Sequence, residues 1–232
     1  MVTGLLTLLL VPALGQSLNE IISRHLAAVG GVDKIRAVKT ARYEQALSMQ
    51  GINVVSKTTV IIGQAARSDV QMGGQTVTTV YNGQTGWIRN AMLGAKGVQS
   101  IPSAQVLRMR GNTEITGLQL AYAKDRGYPM KLAGRETLNG KSAYHVVVTQ
   151  PEATVEYYLN PDTYLVEMTK SQIRIGGQTA NVQGLFGEFK RNGGLMLPTS
   201  ATIVANGQPI LSRTLRADFN VPVDKAIFAR PK

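Results

Sequence analysis

The sequence predicts a mainly β protein built on one wide antiparallel sheet, and three observations predict it. From Lys39 almost to the C-terminus, apolar and polar residues alternate with period two, broken only in the middle of the chain. The alternating runs are separated by short Gly- and Asn-rich pairs, which join hydrogen-bonded neighbours and leave no room for crossovers. Finally, Tyr144–Lys170 holds three strands of one meander, with Tyr144, Val146 and Val148 on one face, then Val155, Tyr157 and Leu159, then Tyr164, Val166 and Met168. Its Asn160-Pro161-Asp162-Thr163 link has type I turn chemistry, because Pro presets φ and the Asn side chain folds onto the following backbone.

Ahead of the sheet, Ser17–Val29 reads as a helix. Ser17 caps it with Glu20 three residues on, and Leu18, Ile21, Ile22, Leu26 and Val29 recur at helical spacing. Gly30-Gly31 ends it, and Val32–Val38 reads as a second short helix. The first strands are expected at Thr40–Met49, Asn53–Ile62, Ala65–Met72, Thr76–Tyr81 and Thr85–Asn90, with Asn82-Gly83 as a type I′ hairpin signal. Residues 91–127 interrupt the pattern. Pro102 opens a helical stretch carrying Val106, Leu107 and Met109, and Asn112 caps a second one with Ile115, Leu118 and Tyr122 on one face. Such a pair either fills the mouth of a curved sheet as core or covers a cavity as a lid, and Met92 and Met109 suit an adaptable lining. Strands then resume at Lys131–Leu138, Lys141–Gln150, Thr154–Asn160, Tyr164–Ile175, Gln178–Arg191, Leu195–Val204 and Pro209–Phe219, turning at pairs that include Asn139-Gly140, Gly176-Gly177 and Asn206-Gly207. A twisted sheet of about a dozen strands curls or closes.

The chain has 232 residues, no linker and no low-complexity segment, so residues 17–232 read as a single domain. The opening MVTGLLTLLLVPALGQ resembles a secretory signal: Leu5–Leu14 is too short to span a bilayer, and Ala13-Leu14-Gly15 is a small-x-small cleavage site. The other reading is a buried N-terminal helix. Without cysteine there are no disulfides and no lipid-modified anchor. Export to a periplasm is therefore expected. A net charge of +11 arises from scattered Lys and Arg and no nucleic-acid-binding motif accompanies it, so the sequence points to a membrane surface or lipid ligand, or to solubility alone.

Catalytic parts are missing from the sequence. It has no GxSxG, HExxH or phosphate loop and no metal-spaced set, and no cofactor is expected. His25 lies beside an apolar stripe and reads as structural; His145 sits mid-strand without a motif. Glu152, Glu156 and Glu167 lie on neighbouring strands as paired carboxylates or, more cheaply, as solvated faces.

Four segments together resemble a known family: AAVGGVDKIRAVKTARYEQ, VEYYLNPDTYLVEM, GEFKRNGGLMLPTS and FNVPVDKAIFARP. In order and spacing they resemble the exported outer-membrane lipoprotein-sorting-like proteins of the LolA/LolB type, over about Ser17 to Pro231. The resemblance implies an open antiparallel half-barrel of about eleven strands, capped on its hollow side by an N-terminal helix and short central helices. It also implies a carrier of lipids or acylated lipoproteins. Tyr43-Glu44-Gln45 approximates the family's early aromatic-x-Gln, whereas Arg67 lacks the neighbouring proline, so the fold carries over further than the cargo.

On this reading the apolar lining is expected from Trp87, Leu107, Ile115, Leu118 and Tyr122 on the lid side, with Val155, Tyr157 and Leu159 from the sheet. Trp87 fits a core anchor as well as a ligand wall. Arg67 or Arg89 would meet a lipid phosphate or carboxylate at the rim, or simply be solvated. The protein is expected to be a monomer. Two rival readings are an envelope interaction module with a packed interior, and a hydrolase using His145 or clustered carboxylates in a cleft.

Overall fold

In the computed structural model Ser17 caps the first helix through its hydroxyl, which accepts from the Glu20 amide at 3.2 Å. That helix, α1 (Leu18–Ala28), is followed by α2 (Val32–Ala37). The structure describes residues 16–90, 97–138, 140–151, 153–175 and 178–231. The expected signal segment, Met92, Glu152, Gly176-Gly177 and Asn139 lie outside them.

Thirteen strands form one antiparallel sheet. They are β1 (Thr40–Met49), β2 (Ile52–Ile61), β3 (Ala65–Met72), β4 (Gln75–Tyr81), β5 (Gly86–Asn90) and a two-residue β6 (Gln99–Ser100). After the helical interruption come β7 (Met130–Leu138), β8 (Lys141–Thr149), β9 (Thr154–Leu159), β10 (Val166–Ile175), β11 (Gln178–Asn192), β12 (Leu195–Ala205) and β13 (Gln208–Phe219). Two meanders, β1–β6 and β7–β13, are joined by the pairing of β1 with β13, and among the described residues β6 and β7 are the edges of the sheet. The sheet is therefore an open half-barrel, not a closed one. The expected count of about eleven falls short of thirteen.

Turn chemistry explains the register. Gln50-Gly51 and Asn206-Gly207 both have positive φ at their two central residues, as a type I′ turn requires. Asn82-Gly83 does not form the expected two-residue turn. Asn82 instead accepts from the Gln84 and Thr85 amides through its side chain, closing a longer loop. At Asn160 the side chain accepts from Asp162 and Thr163, and Tyr164 then takes a left-handed φ of 58°, so β10 starts two residues later than expected.

The central interruption holds α3 (Ser103–Met109), a 3-10 turn (Arg110–Thr113) and α4 (Gln119–Asp125). The second helix does not begin at Asn112. Gly117, at φ 91°, breaks the path because a Cβ there would sit 2.5 Å from Pro198 Cδ.

Helices α1 and α4 lie on one face of the sheet, the inner face. Ile21, Ile22, Leu120 and Ala123 pack there on Tyr144, Val146, Val148, Tyr157 and Leu159. A second cluster joins Val29, Ile35, Ile115, Leu118 and Tyr122 to Leu195 and Leu197. The outer face of β2–β5 is covered differently. The C-terminal tail crosses it, and its 3-10 turn (Lys225–Phe228) seats Phe228 against Ile61, Ala65, Val80 and Trp87.

Candidate functional site

Strand register decides which side chains look inward. Tyr43 is paired with Thr58, Thr58 with Ser68 and Ser68 with Thr79; one step along, Gln45, Ser56, Val70 and Val77 stand abreast. Further along β1, Leu47 faces Val54 and Ser212, and Met49 faces Ile52 and Ile210. The inner face thus changes character along the strands. Ala41, Val60 and Ala66 form packed core at one end. A belt of hydroxyl and amide side chains follows, and aliphatic residues occupy the far end, most of them half-buried.

Over the belt lies a trough of about 710 Å³, within the ~300–1,000 Å³ usual for small-molecule sites. Its walls come from β1–β4 and β11–β13, and its cover from Met109 through Gln119. Belt hydroxyls bond sideways to one another: Ser56 to Ser68 at 3.2 Å, Thr58 to Ser68 at 3.4 Å, and Gln45 Nε2 to Ser212 Oγ at 3.2 Å. Each hydroxyl keeps further donor or acceptor capacity for a guest. Tyr43, at the packed end, has a buried phenol with no hydrogen-bond partner among the described residues, and burial raises its pKa far above the usual range. A buried hydroxyl left unpaired costs about 1–3 kcal/mol.

The trough is ringed by cations. Lys190, Arg191, Arg213 and Arg216 line it against one acid, Glu114, which is held by Arg126. Arg213 forks onto Glu188 at 2.9 Å through two nitrogens, and Arg216 meets Asp218 at 2.7 Å. Arg191 reaches only the Gly194 carbonyl, at 3.4 Å.

Of the residues expected to line the cavity, only Ile115 does so at this trough. Leu118 is wholly buried in core, and Tyr122 borders a second hollow between α2 and α4 of about 640 Å³. Val155, Tyr157 and Leu159 face inward as expected, but Tyr157 and Leu159 lie beneath α1 and α4, and Val155 packs against the same cluster. Trp87 is corrected outright. Its neighbour Gly86 faces the central helices, so Trp87 points to the outer face, 3% exposed, and donates to the Phe228 carbonyl at 3.4 Å. Leu107 is corrected too: it is 66% exposed, and Val106 takes the buried position on α3. Replacing Leu107 by Ser should therefore change stability by less than about 0.5 kcal/mol, measured by urea denaturation.

The two arginines also lie on the outer face. Arg67 forks onto Asp69 at 2.8 and 3.0 Å and donates to the Ile227 carbonyl at 3.1 Å, fastening the C-terminal tail. Burial pushes Asp69 up, but the hydrogen bonds of Arg67 and Thr78 outweigh it and hold the carboxyl below its ordinary pKa. Arg89 shares a small outer hollow with Lys57 and Arg67. Neither reaches the trough rim.

His145 is also on the outer face. Its Nδ1 lies 2.7 Å from Glu136 and its Nε2 3.3 Å from Glu156, while its ring stacks on Tyr158 at 4.6 Å. Nδ1 meets a carboxylate, Nε2 lies near a second without a hydrogen bond, and among the described residues no hydroxyl bonds to either nitrogen, which is a bracing arrangement. Glu156 accepts from Tyr158 and Glu167 from Asn160, so these carboxylates have separate partners. Among the described residues no group of His, Asp and Glu could hold a metal ion, and no helix is long and apolar enough to cross a membrane.

No protein-family model and no curated protein sequence matches the chain. Solved structures do. A domain named for outer membrane lipoprotein sorting, from Vibrio parahaemolyticus, superposes with a TM-score of 0.59 at 13% identity, over 90% of this chain and 94% of its own. A LolA superfamily protein from Nitrosomonas europaea gives 0.60 at 11%, over 90% and 97%. A DUF1329 family protein from Desulfovibrio piger gives 0.58 at 13%, over 91% and 96%. Identities this low carry architecture and not cargo. On that architecture, the protein has the LolA-type fold of the outer-membrane lipoprotein-sorting-like proteins.

Proposed function

We propose that this protein is a non-catalytic carrier or chaperone that holds a lipid, or the acyl chains of a lipoprotein, in the inner trough, and that it works as a soluble monomer in the periplasm. One observation carries the reading: among the described residues the half-barrel stays open, and its short helices cover only part of the inner face. Helices α1 and α4 fill the β7–β10 half as solid core, whereas the β1–β4 and β11–β13 half keeps a hollow of about 710 Å³, and half-buried aliphatics follow it further along the same inner face. Burial there is worth ~0.8 kcal/mol per CH₂, enough to hold an acyl chain without a covalent bond. Names borne by proteins of the same fold, lipoprotein sorting among them, support the reading. The basic surface suits brief contact with anionic membranes. The solid half favours the rival interaction module, which needs no ligand.

Denaturing extraction of the purified protein followed by mass spectrometry separates the two. A carrier releases fatty acid or phospholipid in near-stoichiometric amounts, and an interaction module releases none. Replacing Leu47 by Trp, which fills the aliphatic end, should cut recovered lipid at least fivefold without unfolding the protein, since Leu47 is half-buried at an open surface. Unchanged lipid in this variant would place the cargo elsewhere.

A further inference from the structure

The trough is not uniformly greasy, and its chemistry is ordered along the strands. At the packed end it has cations. Lys190 has no ion-pair partner among the described residues, and Arg191 has only a long bond to a carbonyl. In the middle, Ser56, Thr58, Ser68 and Gln45 present a laterally bonded belt, and Ser56 is only 4% exposed. Beyond the hollow, further along the same inner face, lie half-buried Leu47 and Ile210 and buried Val54, a mostly aliphatic strip. From Tyr43 to Met49 this gradient covers about 20 Å of strand at ~3.4 Å per residue.

A ligand of hydrocarbon alone would leave unused the capacity that the belt hydroxyls keep beyond their lateral bonds, and would leave the Tyr43 phenol without a partner. A small anion would leave the aliphatic end exposed. We infer that the trough takes an anionic amphiphile in a fixed direction. Its charged head group lies against Lys190 and Arg191, its uncharged, hydrogen-bonding neck (esters, glycerol or sugar) on the hydroxyl belt, and its hydrocarbon tail across the far end. The inference rests on the carrier reading and adds to it a ligand class and an orientation. Two of the four lining cations, Arg213 and Arg216, are already neutralised by Glu188 and Asp218, which leaves Lys190 and Arg191 to select charge. Glu114, the one acid among the described lining residues, is paired with Arg126 and does not cancel them.

Calorimetric titration of the purified protein with four probes tests this: dihexanoyl phosphatidylglycerol, dihexanoyl phosphatidylcholine, dihexanoylglycerol and inorganic phosphate. Phosphatidylglycerol should bind about tenfold more tightly than the other two lipids, with the advantage shrinking at high salt. Replacing both Lys190 and Arg191 by Ala should cost about fivefold on phosphatidylglycerol and spare dihexanoylglycerol. Replacing Thr58 by Val and Ser68 by Ala should weaken all three lipids. Equal affinity for charged and neutral lipids, or phosphate binding as well as phosphatidylglycerol, would overturn the inference and leave the carrier reading standing. Failure of every lipid to bind would overturn both.

Discussion

Replacing Trp87 by Ala should lower stability by about 3–5 kcal/mol while leaving lipid capture intact. Trp87 is 3% exposed on the outer face, in one cluster with Ile61, Ala65, Val80 and Phe228. Truncation opens a cavity between the sheet and the C-terminal tail. The tail has other fastenings: Thr40 Oγ1 donates to the Val221 carbonyl at 2.7 Å, Arg42 to Pro222 at 2.9 Å, and Arg67 to Ile227 at 3.1 Å. It should therefore loosen at its end and stay attached near its start. Replacing Trp87 by Phe keeps most of the packing and removes only the bond to the Phe228 carbonyl, so it should cost about 1 kcal/mol beyond the lost area. Circular dichroism during urea denaturation measures both, since the only Trp is the residue removed. A Trp87→Ala protein of wild-type stability that binds no lipid would restore Trp87 to the trough wall.

That Trp87 was expected in the lining shows where the sequence stops being informative. Period-two alternation separates the two faces of a strand, but a slip of one residue exchanges them. In β5 the choice between Trp87 and its neighbours Gly86 and Ile88 was settled by a tail about 140 positions away, whose short apolar pieces Val223, Ile227 and Phe228 carry no period of their own. Leu107 and Val106 posed the same problem on a seven-residue helix, too short for its stripe to fix a face. The belt was hidden for another reason. Ser56, Thr58, Ser68 and Thr79 occupy alternate polar positions, which ordinarily mark the solvent face, and here they look inward. What the alternation did carry was the strand count to within one or two, the turn at Asn160, the Ser17 cap and the break in the middle, all set by neighbours in sequence. Long-range coverage by the tail and the helices had no local signal.

Acid should weaken the fold through His25 before the carboxylates protonate. His25 is fully buried on α1, its Nδ1–H donates to the Tyr164 carbonyl at 2.8 Å, and its Nε2 has no partner among the described residues. Burial lowers its pKa to about 4 from an ordinary 6.5, against a smaller raising effect of the Tyr164 hydrogen bond. The unfolded chain therefore binds a proton between those two values that the folded chain refuses. Stability from this residue is complete above pH ~6.5 and drains away as the pH falls toward 4, by about 2 kcal/mol between pH 7 and pH 5 and about 3 kcal/mol in all. Urea denaturation at the two pH values should show the loss, and the His25 ring resonances should stay in the neutral form at pH 5.5, where an exposed His is largely charged. Because Tyr164 also meets Arg24 and Gln16, charging His25 would disturb the seat of α1 on β9 and β10. A flat stability profile from pH 7 to pH 5, or a His25 ring that titrates near 6.5, would mean that α1 is less firmly seated than its burial implies. The solid half of the half-barrel would then be as open to a guest as the trough.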